Sequence, residues 1–457
     1  MYNTIKNTIK KYDLVAIGTG SASGAAVSAF RKAGRSVAVI DSRPFGGTCA
    51  LRGCHPKKIL VSAADAIDAA ERMSGNGFVA ENYGIDWPAL IRFKRTDTDA
   101  TPKRAEEGYK KQGADTYHGR ARFIGSNIVS VDENILEAKH IVIATGAEPA
   151  RLPIHGFENL TLSDQFLELE TLPKRIVFVG GGYISFEFSH VAARAGAQVT
   201  ILHRGERPLE QFEPELADIL VKRTRGLGVK IELGVSVTKI QKIKTGIRVS
   251  GERDGKECIF EGDIAVHGAG RVPEVSDLNL EAAGVEYDKR GIKVNEYLQS
   301  VSNSSVYAGG DVVAGLAAPL TPRAGYDGEI IAKNLLEGNA DKPDYNGLAS
   351  VVFTIPPLAS VGVSESEAKK NGLKYRVNYA DTSQWFSARQ RNETHSGHKV
   401  IIEEGSGRIL GAHLLGPHSD ELINVFAVAV KLGITAENLK RVLYAFPTRG
   451  SDIPYML

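Results

Sequence analysis

The chain has 457 residues, which is enough for about three domains of ordinary size. Its 56 basic and 54 acidic residues leave a net charge of only +2, so the composition does not favour a nucleic-acid partner. Three cysteines are too few for a disulfide-stabilised scaffold, and we expect a reducing compartment, namely the cytoplasm. The sequence predicts neither a signal peptide in the polar and basic residues 1–11 nor a membrane span elsewhere.

The first predicted elements are a strand, a glycine-rich turn, a helix and a second strand within residues 12–41. Gly18 permits the tight turn, and Gly20 lets the backbone approach a pyrophosphate at the start of the helix. Asp41 ends the second strand, where an acid can accept hydrogen bonds from a ribose. Ser23 replaces the third glycine of this fingerprint, but the order of elements still indicates a dinucleotide-binding unit.

Two cysteines follow this unit and are separated by four residues. Pro56 and the apolar spacing after it predict a helix that begins near Cys54. Because the peptide dipoles at a helix N-terminus favour negative charge, Cys54 is suited to forming a thiolate. Cys49 and Cys54 are therefore predicted to be a redox-active dithiol, and the alternative is a pair of buried, inert cysteines. Cys258 lies in a predicted strand and is interpreted as structural.

A second unit with the same order of elements occupies residues 175–202, with Gly180 and Gly182 in its turn. A chain with two such units can bind two dinucleotides. The end of the second strand lacks the acid that would bind the ribose of NADH, and Arg204 and Arg207 follow instead. Since guanidinium groups match a 2′-phosphate, NADPH is the predicted donor and NADH is less favoured. The alternative is that both arginines are solvated surface charges.

These motifs, in this order, resemble those of the pyridine nucleotide-disulfide oxidoreductases, the flavoprotein family of glutathione reductase, dihydrolipoamide dehydrogenase and mercuric reductase. The resemblance covers nearly the whole chain. Further segments that carry it are Ile143–Gly146, Gly270–Pro273, Val306–Asp311, Leu320–Pro322, Val351–Pro357 and Phe426–Lys431.

The resemblance implies an α/β fold with two Rossmann-type dinucleotide-binding domains, one for FAD and one for NAD(P), and a C-terminal α+β dimerisation domain. The expected boundaries are residues 1–150 for the first part of the FAD domain, 151–272 for the NAD(P) domain, 273–345 for the second, central part of the FAD domain and 346–457 for the dimerisation domain. A homodimer follows from that last domain.

The resemblance also implies the cofactor contacts. Those expected for FAD are Gly18, Gly20, Ser21, Asp41, Thr48, Lys58, Thr145, Gly146, Gly310, Asp311 and Thr321. Those expected for the nicotinamide nucleotide are Gly180, Gly182, Tyr183, Ile184, Glu187, Arg204, Arg207 and Gly270. Lys58 resembles the family lysine beside the flavin nitrogens, with Glu187 as its partner carboxylate, and an ordinary exposed helix acid is the alternative for Glu187. Cys49, Cys54, Lys58 and Glu187 are the predicted catalytic residues.

The catalytic cycle implied by the family carries electrons from NADPH through FAD to the Cys49–Cys54 disulfide. Cys54 is then the thiolate next to the flavin, and Cys49 is the interchange thiol that attacks the acceptor. Disulfide-reducing members use a histidine and a glutamate of the partner subunit on this thiol, but Phe446 and Ser451 stand in those positions here. Phenylalanine cannot transfer a proton, and losing general acid–base catalysis costs about a hundredfold or more. The arginine with which glutathione reductase grips its substrate is also absent, because Ser28 stands there.

Three functions are compatible with the sequence. The first is a disulfide reductase with an unusual small-molecule substrate or another base, such as His55. The second is a metal-ion or quinone reductase, although the chain lacks the C-terminal cysteine pair of mercuric reductases. The third is a flavin-binding sensor or structural dimer with a vestigial redox centre, which Phe446 supports. The residues that argue against it are the intact Cys49, Cys54, Lys58 and Glu187.

Overall fold

The computed structural model describes residues 9–79, 83–315 and 317–457. Up to residue 150, the elements in chain order are β1 (Ile9–Ile17), α1 (Ser21–Lys32), β2 (Val37–Asp41), α2 (Gly47–Arg52), α3 (Cys54–Met73), α4 (Trp87–Thr98), α5 (Thr101–Lys111), β3 (Asp115–His118), β4 (Ala121–Gly125), β5 (Ile128–Val131), β6 (Asn134–Ile143) and β7 (Ala147–Pro149). Up to residue 270 they are a 3₁₀ helix (Phe157–Asn159), α6 (Ser163–Phe166), β8 (Arg175–Val179), α7 (Tyr183–Arg194), β9 (Gln198–Leu202), α8 (Pro214–Gly226), β10 (Lys230–Glu232), β11 (Ser236–Ile243), β12 (Gly246–Arg253), β13 (Lys256–Gly262) and β14 (Ile264–His267).

The remaining elements complete the chain. Up to residue 345 they are β15 (Arg271–Pro273), a 3₁₀ helix (Leu280–Ala283), β16 (Tyr287–Asp288), β17 (Gly291–Ile292), β18 (Val306–Ala308), a 3₁₀ helix (Gly310–Val312) and α9 (Thr321–Glu337). The last segment contains β19 (Ser350–Val352), β20 (Leu358–Gly362), α10 (Glu365–Lys370), β21 (Tyr375–Asp381), α11 (Phe386–Arg389), β22 (Gly397–Glu403), β23 (Ile409–Leu415), α12 (Ser419–Leu432), α13 (Ala436–Lys440) and a 3₁₀ helix (Arg449–Tyr455).

One compact unit contains the chain up to Pro56, Arg95–Ala150 and Arg271–Tyr345. Its main sheet has the order β3-β2-β1-β6-β5-β4, and β18 also pairs with β6. Parallel pairing joins β3, β2, β1, β6 and β18. β5 pairs antiparallel with β6 on one side and with β4 on the other. Ile17 at the end of β1 pairs with the ends of β2 and β6. The carboxyl ends of these strands therefore meet at one edge of the sheet, where ligands of such sheets bind.

The parallel strands are buried on both faces because their apolar residues alternate between two cores. Val15 and Ile17 of β1 pack into one cluster with Phe123. Leu14 and Ala16 pack into another cluster, to which α1 contributes its apolar face and α9 its buried isoleucines. Burial on both faces explains the continuous apolar run in β1. The helix α1 begins directly after the turn that follows this strand.

The second compact unit contains Lys57–Lys94, Arg151–Gly270 and Asn346–Leu457. It has a parallel sheet of order β10-β9-β8-β14, an antiparallel sheet β11-β12-β13 and a five-stranded sheet β19-β20-β23-β22-β21. β8, α7 and β9 repeat the strand, helix and strand order of β1, α1 and β2. Cys258 lies in β13 opposite Gly251, in a sheet as predicted. The predicted fold class, with two Rossmann-type units and a C-terminal α+β segment, is confirmed.

In the described parts of the chain, none of the helices combines the length and the apolar composition that crossing a bilayer requires.

Candidate active site

The first glycine turn follows β1 in the first compact unit. The N–H of Gly18 donates to the Ile40 carbonyl at 2.8 Å, which ties the turn to β2. Gly18 has a φ of +101°, and a Cβ there would lie 2.3 Å from the Ala144 carbonyl oxygen, so only glycine fits. An added Cβ at Gly20 would meet no atom within 4 Å, and Gly20 precedes Ser21, the first residue of α1. The first turn of α1 carries no acid, so its free N–H groups and dipole suit a phosphate.

Asp41 lies at the end of β2 and already accepts hydrogen bonds from the protein. One carboxylate oxygen accepts from the N–H and the hydroxyl of Thr19, at 2.9 and 2.5 Å, and the other accepts from the Arg43 N–H at 2.9 Å. The Thr19 hydroxyl in turn accepts from the Gly46 N–H at 3.0 Å. The oxygen that accepts from Arg43 keeps capacity for a ribose hydroxyl. Sequence reasoning missed Thr19, which fixes Asp41 and joins the turn to the start of α2.

The two cysteines lie on consecutive helices, since α2 carries Cys49 and α3 begins at Cys54. All three cysteines of the chain are described, and none forms a disulfide. The Cys54 sulfur is 3.4 Å from the hydroxyl of Thr321 at the start of α9. A hydrogen bond to Cys54 and burial raise the pKa of the Cys49 thiol. Cys49 is half-buried and Cys54 is exposed, so the two thiols differ in environment although they are in contact.

Thr48 lies beside Cys49 on α2, whose first residue packs directly on the glycine turn. An added Cβ at Gly47 would lie 2.7 Å from the Gly20 Cα. This close contact brings the predicted nucleotide turn and the predicted dithiol into one site within the first unit.

Asp311 and Gly310 lie in the 3₁₀ helix after β18, which borders the same site. The Gly310 N–H donates to Asp327 at 2.9 Å, and the Tyr345 hydroxyl donates to the other oxygen of Asp327 at 2.7 Å. Burial raises the pKa of Asp311, which is half-buried. Asp327 was missed by sequence reasoning, and it holds the turn that carries Asp311.

Thr145 and Gly146 lie after β6, where the chain leaves the first unit. The Thr145 hydroxyl donates to the Glu274 carbonyl at 2.6 Å, and the Gly146 carbonyl accepts from the Glu274 N–H at 3.0 Å. Gly270 directly precedes β15, the strand that pairs with β7. Thr145 and Gly146 therefore hold the segment after β6 to the segment after β15, and their position at the end of β6 suits a cofactor.

The second glycine turn lies in the other unit, between β8 and α7. The Gly180 N–H donates to the Leu202 carbonyl at 2.8 Å, and a Cβ on Gly180 would lie 2.4 Å from the carbonyl of Gly268. Gly182 precedes α7, whose first residues are Tyr183 and Ile184 and whose first turn has no acid. This turn has the same physical properties as the first one and equally suits a phosphate.

The residues after β9 are basic, as the sequence indicates. His203 occupies the strand end, where its ring lies 2.9 Å from the Arg207 carbonyl and 3.5 Å from a Glu210 carboxylate oxygen. Arg204 is exposed, and Arg207 is half-buried. No acid occupies the strand end itself, and two arginines follow it within five residues.

Glu187 is buried on α7 and pairs with Lys57, not with Lys58. Its carboxylate accepts from the Lys57 ammonium and from the Phe353 N–H, both at 2.8 Å. Lys58 lies 3.2 Å from Asp420. The predicted pairing of Lys58 with Glu187 is wrong. Lys57 faces Glu187, and the next residue of the helix points about 100° away from it. The alternative of an exposed Glu187 is also excluded, since its residue exposure is 2%.

The apolar pattern of α3 indicates which of the two lysines faces the core. Leu60, Val61 and Ala64 form the buried stripe of α3, and Lys57 lies one turn before this stripe. Lys58 instead continues the exposed stripe of Ser62 and Asp65.

Further along α3, a buried ion cluster connects this helix to α7 and α8. Asp68 on α3 is fully buried and contacts Arg194 on α7, Arg223 on α8 and Arg72 on its own helix. Burial would raise the pKa of Asp68, but Arg194 and Arg223 outweigh it and hold the pKa below 3.8. Sequence reasoning missed this cluster, since single charges within helices carry no sign of their burial.

Comparison with known proteins identifies the family. Residues 12–329 match the pyridine nucleotide-disulphide oxidoreductases, and residues 348–456 match the dimerisation domain of the same proteins. The chain belongs to this family. The predicted family is therefore confirmed, and with it an oxidoreductase of sulfur groups that uses FAD and a pyridine nucleotide.

Several curated relatives match over nearly the full chain. The dihydrolipoyl dehydrogenase of Bacillus subtilis is 31% identical over 96% of this chain and 94% of its own. The glutathione reductase of Burkholderia cepacia is 32% identical, with 96% and 97% covered, and the mercuric reductase of Staphylococcus aureus is 30% identical, with 94% and 78% covered. The dimerisation domain supports the predicted homodimer.

A solved structure is also similar. The Cu(II) complex of the HOCl-induced flavoprotein disulfide reductase RclA from Escherichia coli superposes with a TM-score of 0.86 at 27% identity. The match covers 98% of this chain and 99% of that one.

Proposed function

We propose that the protein is an FAD-dependent oxidoreductase that passes electrons from NADPH through the dithiol of Cys49 and Cys54 to an acceptor disulfide. The observation that carries this proposal is the contact between the two thiols at the start of α3. An inert structural pair has no need of a helix N-terminus, a neighbouring hydroxyl and an exposed second sulfur.

FAD fits the first unit. The open turn at Gly20 and the acid-free start of α1 suit its pyrophosphate, Asp41 suits its ribose, and Asp311 is available for its ribityl chain. Thr48 and Thr321 border the cysteines and would contact the cofactor beside them. Bound FAD would supply the two-electron step that links a nicotinamide to a disulfide.

The charged pair of Lys57 and Glu187 takes the role first assigned to Lys58. Glu187 holds the Lys57 ammonium by a 2.8 Å contact, and the Lys57 side chain is only 14% exposed. A cation fixed in this way can stabilise negative charge on a reduced cofactor. Lys57 follows Cys54 by three residues on α3, so one helix supplies both the thiol and the cation.

Proton transfer to the acceptor lacks the family's histidine and glutamate. Phe446 is 84% exposed and offers no acid or base. The Ser451 hydroxyl accepts from the Thr448 N–H at 3.3 Å and donates to the Thr448 carbonyl at 2.6 Å, so it caps the C-terminal 3₁₀ helix. The proposed acceptor is therefore a disulfide that either reacts slowly or uses another base of this chain.

The donor proposal depends on Arg204 and Arg207. We expect NADPH to reduce the bound FAD with a lower KM than NADH, and Arg204→Glu to reverse this preference. Each charged hydrogen bond to the 2′-phosphate contributes roughly 1.5 to 3 kcal/mol, on the order of ten- to a hundredfold in binding. Lys222→Glu, a charge reversal at an exposed position of α8, is the control and should leave the preference unchanged. Equal KM values for both donors in the native protein would refute NADPH specificity.

A second candidate function is metal-ion reduction. The structural neighbour RclA is described as a Cu(II) complex, and this observation favours Cu(II) among the metal ions and quinones considered as acceptors. In this reaction the reduced dithiol or cofactor would give electrons to Cu(II), and the missing acid and base would matter less.

One assay series separates the candidates. FAD-loaded protein is mixed with NADPH, and its oxidation is followed with low-molecular-weight disulfides, quinones, Cu(II) or Hg(II). Turnover with a disulfide, lost in Cys49→Ser, supports the main proposal. Turnover with Cu(II) or a quinone alone supports the second function. A yellow protein that oxidises NADPH with none of them would indicate a sensor or structural dimer. We also propose a cytoplasmic location, in keeping with a reduced dithiol.

A further inference from the structure

His55 directly follows Cys54 and forms a pair with an acid that sequence reasoning did not name. Its Nδ1 lies 3.3 Å from a carboxylate oxygen of Asp97 on α4. Because an ionised carboxylate only accepts hydrogen bonds, Nδ1 carries the proton and Nε2 is left to accept one. The side chains of His55 and Asp97 are 56% and 38% exposed, so the pair is accessible to an acceptor molecule.

The surroundings connect this pair to the starts of both cysteine-bearing helices. The Asp97 carbonyl accepts from the Thr101 hydroxyl at 2.8 Å, and the Thr101 methyl would lie 3.2 Å from a Cβ on Gly46. Gly46 immediately precedes α2, the helix of Cys49. His55 itself continues α3 from Cys54. His55 is thus joined to Cys54 by the chain, and Asp97 is linked through Thr101 to the residue that precedes α2.

An arginine of α5 also contributes charge beside the pair. Asp97 faces His55 from α4, and Arg104 on α5 lies 3.9 Å from the other Asp97 oxygen. The Arg104 guanidinium also donates to the Asp97 carbonyl and the Thr101 hydroxyl, at 3.3 and 2.8 Å. Cys54 is the neighbouring titratable group on α3. Exposed ion pairs of this kind contribute little to stability, about 0 to 1 kcal/mol, so stability alone does not account for the arrangement.

Cys49 needs a base. Its hydrogen bond to Cys54 and its burial raise the pKa of its thiol, so it stays protonated near neutral pH unless a neighbour takes the proton. Imidazole is the side chain that exchanges protons in this pH range.

We propose that His55, oriented by Asp97, is the acid and base of the dithiol in place of the missing partner-subunit histidine. This inference rests on the proposed disulfide reductase function. The Cys49 thiol gives its proton to His55 Nε2, and the thiolate attacks one sulfur of the acceptor disulfide. The acceptor's S–S bond breaks as the mixed disulfide forms, and the released thiolate takes the proton from His55.

The second half completes the electron balance. Cys54, which has lost its proton to water, attacks the Cys49 sulfur as a thiolate and forms the Cys49–Cys54 disulfide. The second acceptor thiolate leaves and takes a proton from water. The dithiol has then lost two electrons, and the acceptor disulfide has become two thiols.

The test is the pH profile of reoxidation. NADPH-reduced, FAD-loaded protein is mixed with bis(2-hydroxyethyl) disulfide from weakly acidic to weakly alkaline pH. His55→Gln should slow reoxidation by about a hundredfold or more at neutral pH, and the loss should become smaller as the pH rises, because the fraction of Cys49 that ionises unaided then increases. Asp97→Asn should show a smaller loss of the same pH shape, and Asp97→Glu should restore most of the rate. His155→Gln, at an exposed histidine of the second unit, is the control and should match the native profile.

The outcomes separate this inference from the proposed function. Normal native reoxidation with an unchanged His55→Gln profile, or with a uniform loss at every pH, overturns the role of His55 alone. Native protein that the disulfide does not reoxidise at any pH overturns the disulfide reductase and this inference with it. The visible spectrum of bound FAD checks that each variant is folded.

Discussion

Glu187 is a carboxylate taken out of water, and two donors compensate for its burial. The Lys57 ammonium and the Phe353 N–H both contact it at 2.8 Å. Such a group is costly to bury without partners, so removing Lys57 leaves an uncompensated charge. Lys58, the next residue of α3, has a side chain that is 49% exposed and pairs with Asp420. The chain therefore offers two neighbouring lysines, of which one lies in a largely buried ion pair and the other is half exposed.

Replacement of these lysines by methionine should separate their roles. Lys57→Met should slow reduction of bound FAD by NADPH by on the order of ten- to a hundredfold, the value of one charged interaction. Lys58→Met should reduce FAD at the native rate, and Lys57→Arg should recover part of the lost rate. Stopped-flow absorbance under anaerobic conditions measures all three. Equal losses in both methionine variants would contradict the assignment of Lys57.

The two thiols should also differ in their spectra. If Cys54 is the sulfur beside the cofactor, two-electron reduction should produce a long-wavelength absorption band from its thiolate next to FAD. Cys54→Ser should abolish this band, whereas Cys49→Ser should show a band without reduction, because Cys54 can no longer form a disulfide. An anaerobic titration with NADPH or dithionite records both. A reduced native protein without the band at any pH would reject the assignment of Cys54.

At the scale of elements, two ion pairs join α3 and α7, and α3 supplies the cation in one pair and the anion in the other. Lys57 of α3 pairs with Glu187 of α7, and Asp68 of α3 pairs with Arg194 of α7. Lys57 and Asp68 lie about three turns apart on one helix face. Two contacts at different heights resist rotation of α3 about its axis. We infer that Asp68 keeps Lys57 directed at Glu187 although it lies far from the thiols along the helix.

Asp68 gives a prediction for stability and its pH dependence. Asp68→Asn should lower the free energy of unfolding by about 3 to 5 kcal/mol, because it leaves buried arginines without their carboxylate. The native pKa of Asp68 lies below the 3.8 of an unfolded aspartate, so the stabilisation is complete above that pH. It is lost as the pH falls through the lower, folded-state value. Urea unfolding of native and variant protein at several pH values should show curves that converge in acid.

A matched substitution controls this experiment. Asp65→Asn changes an exposed acid of the same helix and should alter stability by less than about 0.5 kcal/mol. A difference between native protein and Asp68→Asn that stays constant down to the most acidic pH would contradict the charged state of Asp68.

The elements also show why some of the site could be predicted from sequence. The glycine turns and the start of α3 are written in consecutive residues, so Gly18, Gly180 and Cys54 could be assigned from local patterns. The apolar stripe of α3 indicates that Lys57 faces the core, but its partner Glu187 is defined only by how α3 packs on α7. Asp68 and Asp97 depend on side chains distant in sequence that meet only after packing. Tertiary contacts of this kind leave no periodic signal.

At the scale of the whole molecule, the dimerisation domain carries exposed apolar side chains that an isolated chain would not favour. Those in its last helices and C-terminal segment are Val428, Leu432, Val442, Leu443, Phe446 and Tyr455. Phe446 belongs to this surface at 84% exposure. Its ring offers no acid or base, so the proposed proton transfer to the acceptor needs another residue.

Restoring the family residues tests this division of roles. Phe446→His combined with Ser451→Glu should raise disulfide turnover at neutral pH by about a hundredfold if no residue of the native protein supplies the base. The reduction of FAD by NADPH should stay nearly unchanged, because it does not use this surface. If His55 already acts as the base, the gain should be small in the native background and large when His55→Gln is added. Steady-state rates with bis(2-hydroxyethyl) disulfide across pH, with the dimer verified by sedimentation, decide between the two. A double variant that gains nothing in either background, in a protein that rapidly reduces Cu(II), would instead favour metal-ion reduction.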